Sequence, residues 1–275
     1  MQTEKSSLLG VSPERPVRLR RREKVRIVLT VIQSLLIVLY TVVLGTLAIV
    51  FSLIFSDPDQ KDRLYLFFAK LYSWLILKTC FVTVECRGAE KVDPERPYVF
   101  MSNHVSYFDI PAIIVCLPHP LRWVYKKELG KIPVFGWALK TMGQIMVDRS
   151  NRASAVESLT RALSALGKRS SIMICPEGTR SRTGELLPFK KGGFYTAVQS
   201  GYPVVPVAVK GTRDIMRKGS LVIHPGRVEV IVCDPIEVKK GDYSRIPELM
   251  EKVRGEIEKA LSGESIDRGE VFSEN

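Results

Sequence analysis

The sequence predicts an α/β protein: a mostly parallel sheet flanked by helices, preceded by an N-terminal membrane-associated helical hairpin. Three observations predict it. Residues 27–55 form a run of 29 residues without a charge, longer than the ~20 residues that cross a bilayer. From residue 81 onward, short β-branched runs alternate with stretches of helical period, the pattern of a parallel sheet covered by helices. The chain has 275 residues, 45% of them hydrophobic, enough to bury a core of that size.

Taken in order, residues 1–26 carry eight Lys/Arg against three acids, a net +5, and read as a polar basic arm. The apolar run that follows is too long for a signal-peptide core and lacks a small-residue cleavage site. As a helix it would extend ~43 Å at 1.5 Å per residue, beyond the ~30 Å of a hydrocarbon core. The Arg cluster before it stays cytoplasmic by the positive-inside rule. After a turn at residues 56–63, residues 64–77 are again apolar but short and interrupted by Lys70. They read as an interfacial or returning arm, with Lys70 snorkelling and Tyr72 and Trp74 near headgroups. The expectation is a hairpin over residues 27–80 that inserts from the cytoplasmic face and returns the chain there. A single spanning anchor is the alternative.

Residues 81–262 form the predicted α/β body, with an acidic tail at 263–275. Strands are expected at 81–86, 98–101, 122–125, 144–147, 171–175, 204–209, 221–224 and 228–232. Helices are expected at 110–116, 134–142, 152–166, 193–200 and 246–261; Asn151 would cap the third and Gly167 would stop it. Residues 242–275 carry −4, which leaves +11 on residues 27–241. A body so basic attracts anions: nucleic acid, lipid headgroups or phosphorylated substrates. The five cysteines are odd in number and include no Cys-x-x-Cys. That argues against a disulfide framework or zinc ribbon and for free thiols in a reducing compartment. None of the three histidines pairs with another at metal spacing, so no metal is expected.

Three segments hold residues capable of chemistry. The strand at 98–101 runs into Ser102-Asn103-His104-Val105-Ser106-Tyr107-Phe108-Asp109, with Asp109 as the expected N-cap of the next helix. On one continuous helix His104 and Asp109 would diverge by ~140°, so a turn is needed to bring the carboxylate to the imidazole. A His so held is a general base for a hydroxyl. Next, Pro176-Glu177-Gly178-Thr179-Arg180-Ser181-Arg182 delivers two guanidinium forks and hydroxyls suited to phosphate, and Lys190-Lys191-Gly192-Gly193 opens a helix whose amides favour anions. Lys126 and Arg149 each follow a short strand and could join an anion pocket. Each basic segment alone also reads as a solvated surface.

In order, NHVSYFD, KKELGKIPVFG with GQIMVDR, PEGTRSR and YPVVPVAVKG resemble the four motifs of the glycerolipid acyltransferase family, most like its bacterial 1-acylglycerol-3-phosphate branch. The resemblance covers about residues 81–240. Asn103, His104, Ser106 and Asp109 match the first motif; Glu177, Gly178, Thr179, Arg180 and Ser181 match the third; Pro206 matches the fourth. Cys175 departs from the Phe often found before Pro-Glu-Gly and reads as a buried strand position, not a nucleophile. The resemblance implies acyl transfer from acyl-CoA or acyl carrier protein to the sn-2 hydroxyl of lysophosphatidic acid, giving phosphatidic acid, without an acyl-enzyme. His104 would be the base and Asp109 its partner. Arg180, Arg149, Lys126 and Arg182 would hold the acceptor phosphate, Glu177 and Gly178 would shape their loop, and Pro206 a strand edge near the acyl site. It implies no cofactor beyond the acyl donor as co-substrate, a membrane lipid as acceptor, no nucleic-acid partner, and a place on the cytoplasmic face of a bacterial inner membrane. Alternatives are another lyso-lipid or glycerol 3-phosphate as acceptor, or a non-enzymatic membrane-tethered anion binder. A lipid hydrolase is disfavoured because the sequence has no Gly-x-Ser-x-Gly elbow.

Overall fold

The computed structural model describes residues 21–55, 57–148, 152–164 and 170–263. Most of the basic arm, Arg149, Asn151, Gly167 and residues 264–275 of the tail lie outside the described residues.

Helix α1 (Arg21–Ile54) starts within the basic arm, so Arg22, Lys24 and Arg26 are helical. Helix α2 (Pro58–Thr79) is longer than expected and takes up most of the presumed turn. The reason is local: Asp57 caps it by accepting from the Gln60 amide at 2.9 Å, and Pro58 suits the first turn. The two helices run antiparallel. Gln33 donates to the Thr79 carbonyl at 3.0 Å, Tyr40 bonds Thr79 at 3.0 Å, Thr41 bonds Tyr72 at 2.8 Å, and Phe51 meets Phe68. Tyr72 therefore faces α1, not headgroups, whereas Trp74 is exposed.

The body contains β1 (Val82–Arg87), β2 (Val99–Ser102), α3 (Asp109–Cys116), β3 (Leu121–Lys126), α4 (Phe135–Thr141), β4 (Ile145–Val147), α5 (Arg152–Ser164), β5 (Ser171–Ile174), α6 (Gly192–Ser200), β6 (Val204–Lys210), α7 (Thr212–Ile215), β7 (Gly226–Val232) and α8 (Ile246–Ser262). The seven strands lie in the order β1-β7-β6-β2-β5-β3-β4. Every pairing is parallel except β6 with β7. Strand alternation divides the core: Phe100 joins α2 and α3 on one face, while Val99 and Met101 join α6 and α8 on the other. In α8, Ile246, Leu249, Val253, Ile257 and Ala260 form the buried stripe at helical spacing.

Two expectations fail here. Residues 221–224 form no strand. The Ile223 amide goes to Thr30 Oγ1 of α1 at 3.1 Å, the Val222 amide to Ser220 Oγ, and the His224 amide to the Ile215 carbonyl, so no ladder partner remains. The cysteines are not all free either. Cys86 at the end of β1 and Cys116 at the end of α3 form a disulfide, with Cα atoms 5.6 Å apart. Thirty residues separate them in sequence, and only the packing of α3 beside the β1–β7 edge brings them together. Cys80, Cys175 and Cys233 remain thiols.

Candidate active site

Strand β2 ends at Ser102, and the next residue clamps the strand end. The Asn103 side chain donates to the Val209 carbonyl at 3.0 Å and accepts from the Val209 amide at 2.8 Å, as a strand residue would. His104 leaves the sheet there, and the turn over residues 105–108 folds Asp109 back to it. Asp109 Oδ2 lies 2.7 Å from His104 Nδ1 and accepts the Val105 and Ser106 amides at 2.8 and 3.0 Å. Asp109 is the first helical residue of α3 and not its N-cap, which is Phe108. Its carboxylate is spent on the preceding turn, so no amide of the helix receives it. Thr212 Oγ1 donates to Asp109 Oδ1 at 2.5 Å. Gly211, just before Thr212, holds φ +85°, and a Cβ there would stand 2.3 Å from the Arg227 carbonyl. Ser106 Oγ donates to the Met216 carbonyl at 2.8 Å and fixes the same turn. With Nδ1 committed to Asp109, Nε2 is left to address the cavity that His104 lines.

Strand β5 delivers the second motif. Glu177 is buried, and its two oxygens accept the His104 amide at 2.7 Å and the Leu187 amide at 3.0 Å, tying the two loops together. Burial pushes its carboxyl above the ordinary value, and the two amides pull it partly back. Gly178 takes φ +69°, and a Cβ would press on the Lys190 side chain at 3.0 Å. The Ser181 amide donates to the His104 carbonyl at 2.8 Å. The Arg180 guanidinium stacks on the Tyr107 ring, 3.6 Å from its centroid.

A cavity of about 570 Å³ joins these groups. Its polar end holds His104, Arg180, Lys190 and Lys218; its apolar end runs between the hairpin and the C-terminal ends of β3, β4 and β5, past Leu44, Ala48, Phe68 and Met142. This is where α/β sheets gather ligands. Lys126 lines it, with Nζ 3.3 Å from Glu128. Two expected residues do not. Arg182 is exposed, outside the lining, and its carbonyl receives Arg213 Nε at 3.3 Å. Pro206 sits inside β6, a central strand and not an edge. The antiparallel ladder to β7 starts at Val207, so the missing N–H of Pro206 falls just before it. Cys175 borders the cavity, 3.7 Å from Ser102 Oγ.

Sequence reasoning missed three residues. Tyr107 was inside a quoted motif yet without a role. Thr212 and Lys218 come from the β6–β7 connection; Lys218 Nζ donates to Thr179 Oγ1 at 3.1 Å and to the Arg180 carbonyl at 2.6 Å. The only signal for them was their place just after the fourth motif.

Residues 83–210 match the family model described as Acyltransferase. The chain is 34% identical over 214 residues to a Brassica napus protein named 1-acyl-sn-glycerol-3-phosphate acyltransferase BAT2, chloroplastic, covering 77% of this chain and 60% of that one; it thus spans about 60% of that plant relative's length. It is 31% identical to the 1-acyl-sn-glycerol-3-phosphate acyltransferase of Escherichia coli strain K12, covering 86% of this chain and 92% of that one. A crystal structure of the 1-acyl-sn-glycerophosphate acyltransferase PlsC from Thermotoga maritima superposes with a TM-score of 0.76 at 25% identity, over 90% of this chain and all of the other. The shared sequence over nearly the whole Escherichia coli protein, together with the shared fold, establishes that the chain belongs to the acyltransferase family.

Proposed function

We propose that this chain transfers a fatty acyl group from acyl-CoA or an acyl carrier protein to the sn-2 hydroxyl of lysophosphatidic acid, with His104 as general base. The observation that carries the reading is the His104–Asp109 pair at the junction of a cationic pocket and an apolar cavity. His104 Nε2 takes the proton of the acceptor hydroxyl as its oxygen attacks the thioester carbonyl. The tetrahedral intermediate expels the thiolate, the C–S bond breaks, and the imidazolium returns the proton to sulfur. Asp109, buried and hydrogen-bonded, holds the ring in one tautomer and balances its transient charge.

Arg180, with Lys126, Lys190 and Lys218 on the same cavity wall, binds the acceptor phosphate; motif resemblance alone assigns Arg149 to it. The apolar length of the cavity takes an acyl chain. The hairpin supports a bilayer acceptor because its amphipathy is inverted. Thr30, Gln33 and Ser52 are buried, while Val28, Val31, Leu35, Val38, Leu39 and Leu53 are exposed. Only 11% of the most apolar stretch of α1 is buried. Contacts with the rest of the protein run from Thr30 to Ala48, roughly 27 Å of helix at 1.5 Å per residue. A perpendicular crossing would pull the body into the ~30 Å hydrocarbon core, so the hairpin lies in one leaflet. The basic start of the chain favours the cytoplasmic face, which in a bacterium is that of the inner membrane.

The test is an acyl-transfer assay with both donor types across a panel of lyso-acceptors. Arg180→Ala should raise the acceptor KM about 10- to 100-fold, the worth of a charge-assisted hydrogen bond, with little change for a phosphate-free acceptor. Equal damage to both acceptors would refute the phosphate role, and transfer to none of the acceptors would refute the activity.

A further inference from the structure

We propose that Phe81 and Leu221, with the basic side chains around them, form a second membrane-docking edge on the α/β body that inserts into the headgroup region of an anionic bilayer. The proposal rests on the one-leaflet reading of the hairpin given above.

Phe81 follows the C-cap of α2 and holds φ +56°, in the left-handed region. Glycine is the usual occupant of that position, since a side chain there crowds the backbone. The conformation is fixed from both directions: the Phe81 amide donates to the Lys78 carbonyl at 3.1 Å, and its carbonyl accepts the Gly226 amide at 3.2 Å. Yet the residue stays mostly outside the protein, for Phe81 is 68% exposed. Leu221 is 82% exposed, the highest value among the described large apolar side chains. Its loop is pinned at both ends. Lys218 bonds Thr179 and the Arg180 carbonyl, and the Ile223 amide bonds Thr30 of α1. Between these pins the loop presents Leu221 outward.

Both residues flank the same section of α1. Thr30 receives the Leu221 loop, and Gln33, one turn on, bonds Thr79 beside Phe81. The outward face of that section carries exposed Val28, Val31 and Ile32, so the patch continues the apolar face of the hairpin. Exposed Lys24, Lys78, Arg217 and Arg227 lie on the flanking segments. Apolar tips with an excess of cations on the neighbouring segments, four against the exposed Glu23, suit a surface of anionic headgroups. Strain kept at an exposed aromatic is also the kind of cost that functional positions retain. Lys218 gives the patch a consequence: it belongs to the Leu221 loop and holds the Thr179–Arg180 segment, so docking at Leu221 sets the phosphate pocket at headgroup depth.

The experiment uses the full chain with vesicles of phosphatidylglycerol and phosphatidylethanolamine, and with phosphatidylcholine vesicles for comparison. Phe81→Gly removes the ring and relieves the left-handed strain, so that variant should melt no lower than the parent. Combined with Leu221→Ser, it should weaken sedimentation with anionic vesicles about tenfold, a fraction of the full burial of two such side chains, and leave transfer to detergent-dispersed acceptor unchanged. Leu221→Trp should be quenched by brominated acyl chains beyond the quenching of the three native tryptophans, while Tyr243→Trp, placed against Tyr195 on α6, should add none. Binding of the double variant equal to the parent, or no added quenching at 221, overturns the proposal while the parent still sediments. A parent that does not sediment with either vesicle overturns the one-leaflet reading and this proposal with it.

Discussion

Asp109 accepts four hydrogen bonds while fully buried: from the His104 ring, from two amides of its own turn, and from Thr212. The last comes from 103 residues away and holds the carboxylate against rotation, which under the proposed mechanism makes Thr212 a positioning residue. Thr212→Val, which keeps shape and removes the hydroxyl, should lower kcat about tenfold with the acceptor KM nearly unchanged, the worth of one hydrogen bond. Thr212→Ser should restore most of the rate; steady-state kinetics of the pair check it. The His-x4-Asp spacing was legible in the chain, but nothing near residue 109 names its partner at 212. Glu177 offers a pH test. Its folded carboxyl is raised by burial, so folding retains its proton, and stability falls as pH rises from the ordinary value, about 4.3, through the raised one. Glu177→Gln removes that dependence but replaces an oxygen that can accept an amide even when protonated with an NH2 group that cannot. Its melting temperature should sit below the parent's at acidic pH, with the gap narrowing as pH rises through that window. A gap that widens would contradict the assignment.

At the scale of elements, the hairpin is joined to the body by a buried charge cluster. Asp62 of α2 pairs with Arg122 of β3 and accepts the Ser170 hydroxyl at 2.6 Å; Arg122 also donates to the Met142 carbonyl at 2.6 Å and lies over the Tyr65 ring. Asp62→Asn would leave the buried guanidinium without its counter-charge, a loss of about 3–5 kcal/mol, to be read from denaturant unfolding in detergent. The strands and helices of the body were largely legible, because β-branched alternation and the stripe of α8 are local signals. The Asp62 cluster was not, since Asp62 reads as a turn residue until α2 extends back to Asp57. Residues 221–224 misled for the opposite reason: their β-branched pattern is real, but α1 claims their amide. The Cys86–Cys116 pairing was hidden likewise, because only the tertiary fold makes them neighbours.

At the scale of the whole molecule, the +12 net charge and the uncharged run 27–55 meet in one architecture. The hairpin turns polar side chains inward and apolar ones outward, and the cavity runs from its inner face to the cations beside His104. Under the proposed function, that arrangement serves a lipid acceptor and a thioester donor, both anionic, together. Composition points to a membrane and to anions; it could not reveal that the body packs along α1 instead of hanging from its end. The most direct test of the account is the initial rate of acyl transfer to lysophosphatidic acid by the parent and by His104→Ala, alongside their melting curves. The account predicts a loss of about 100- to 10,000-fold, the reach of general base catalysis, with melting unchanged. A folded variant that keeps its rate within tenfold of the parent would contradict it.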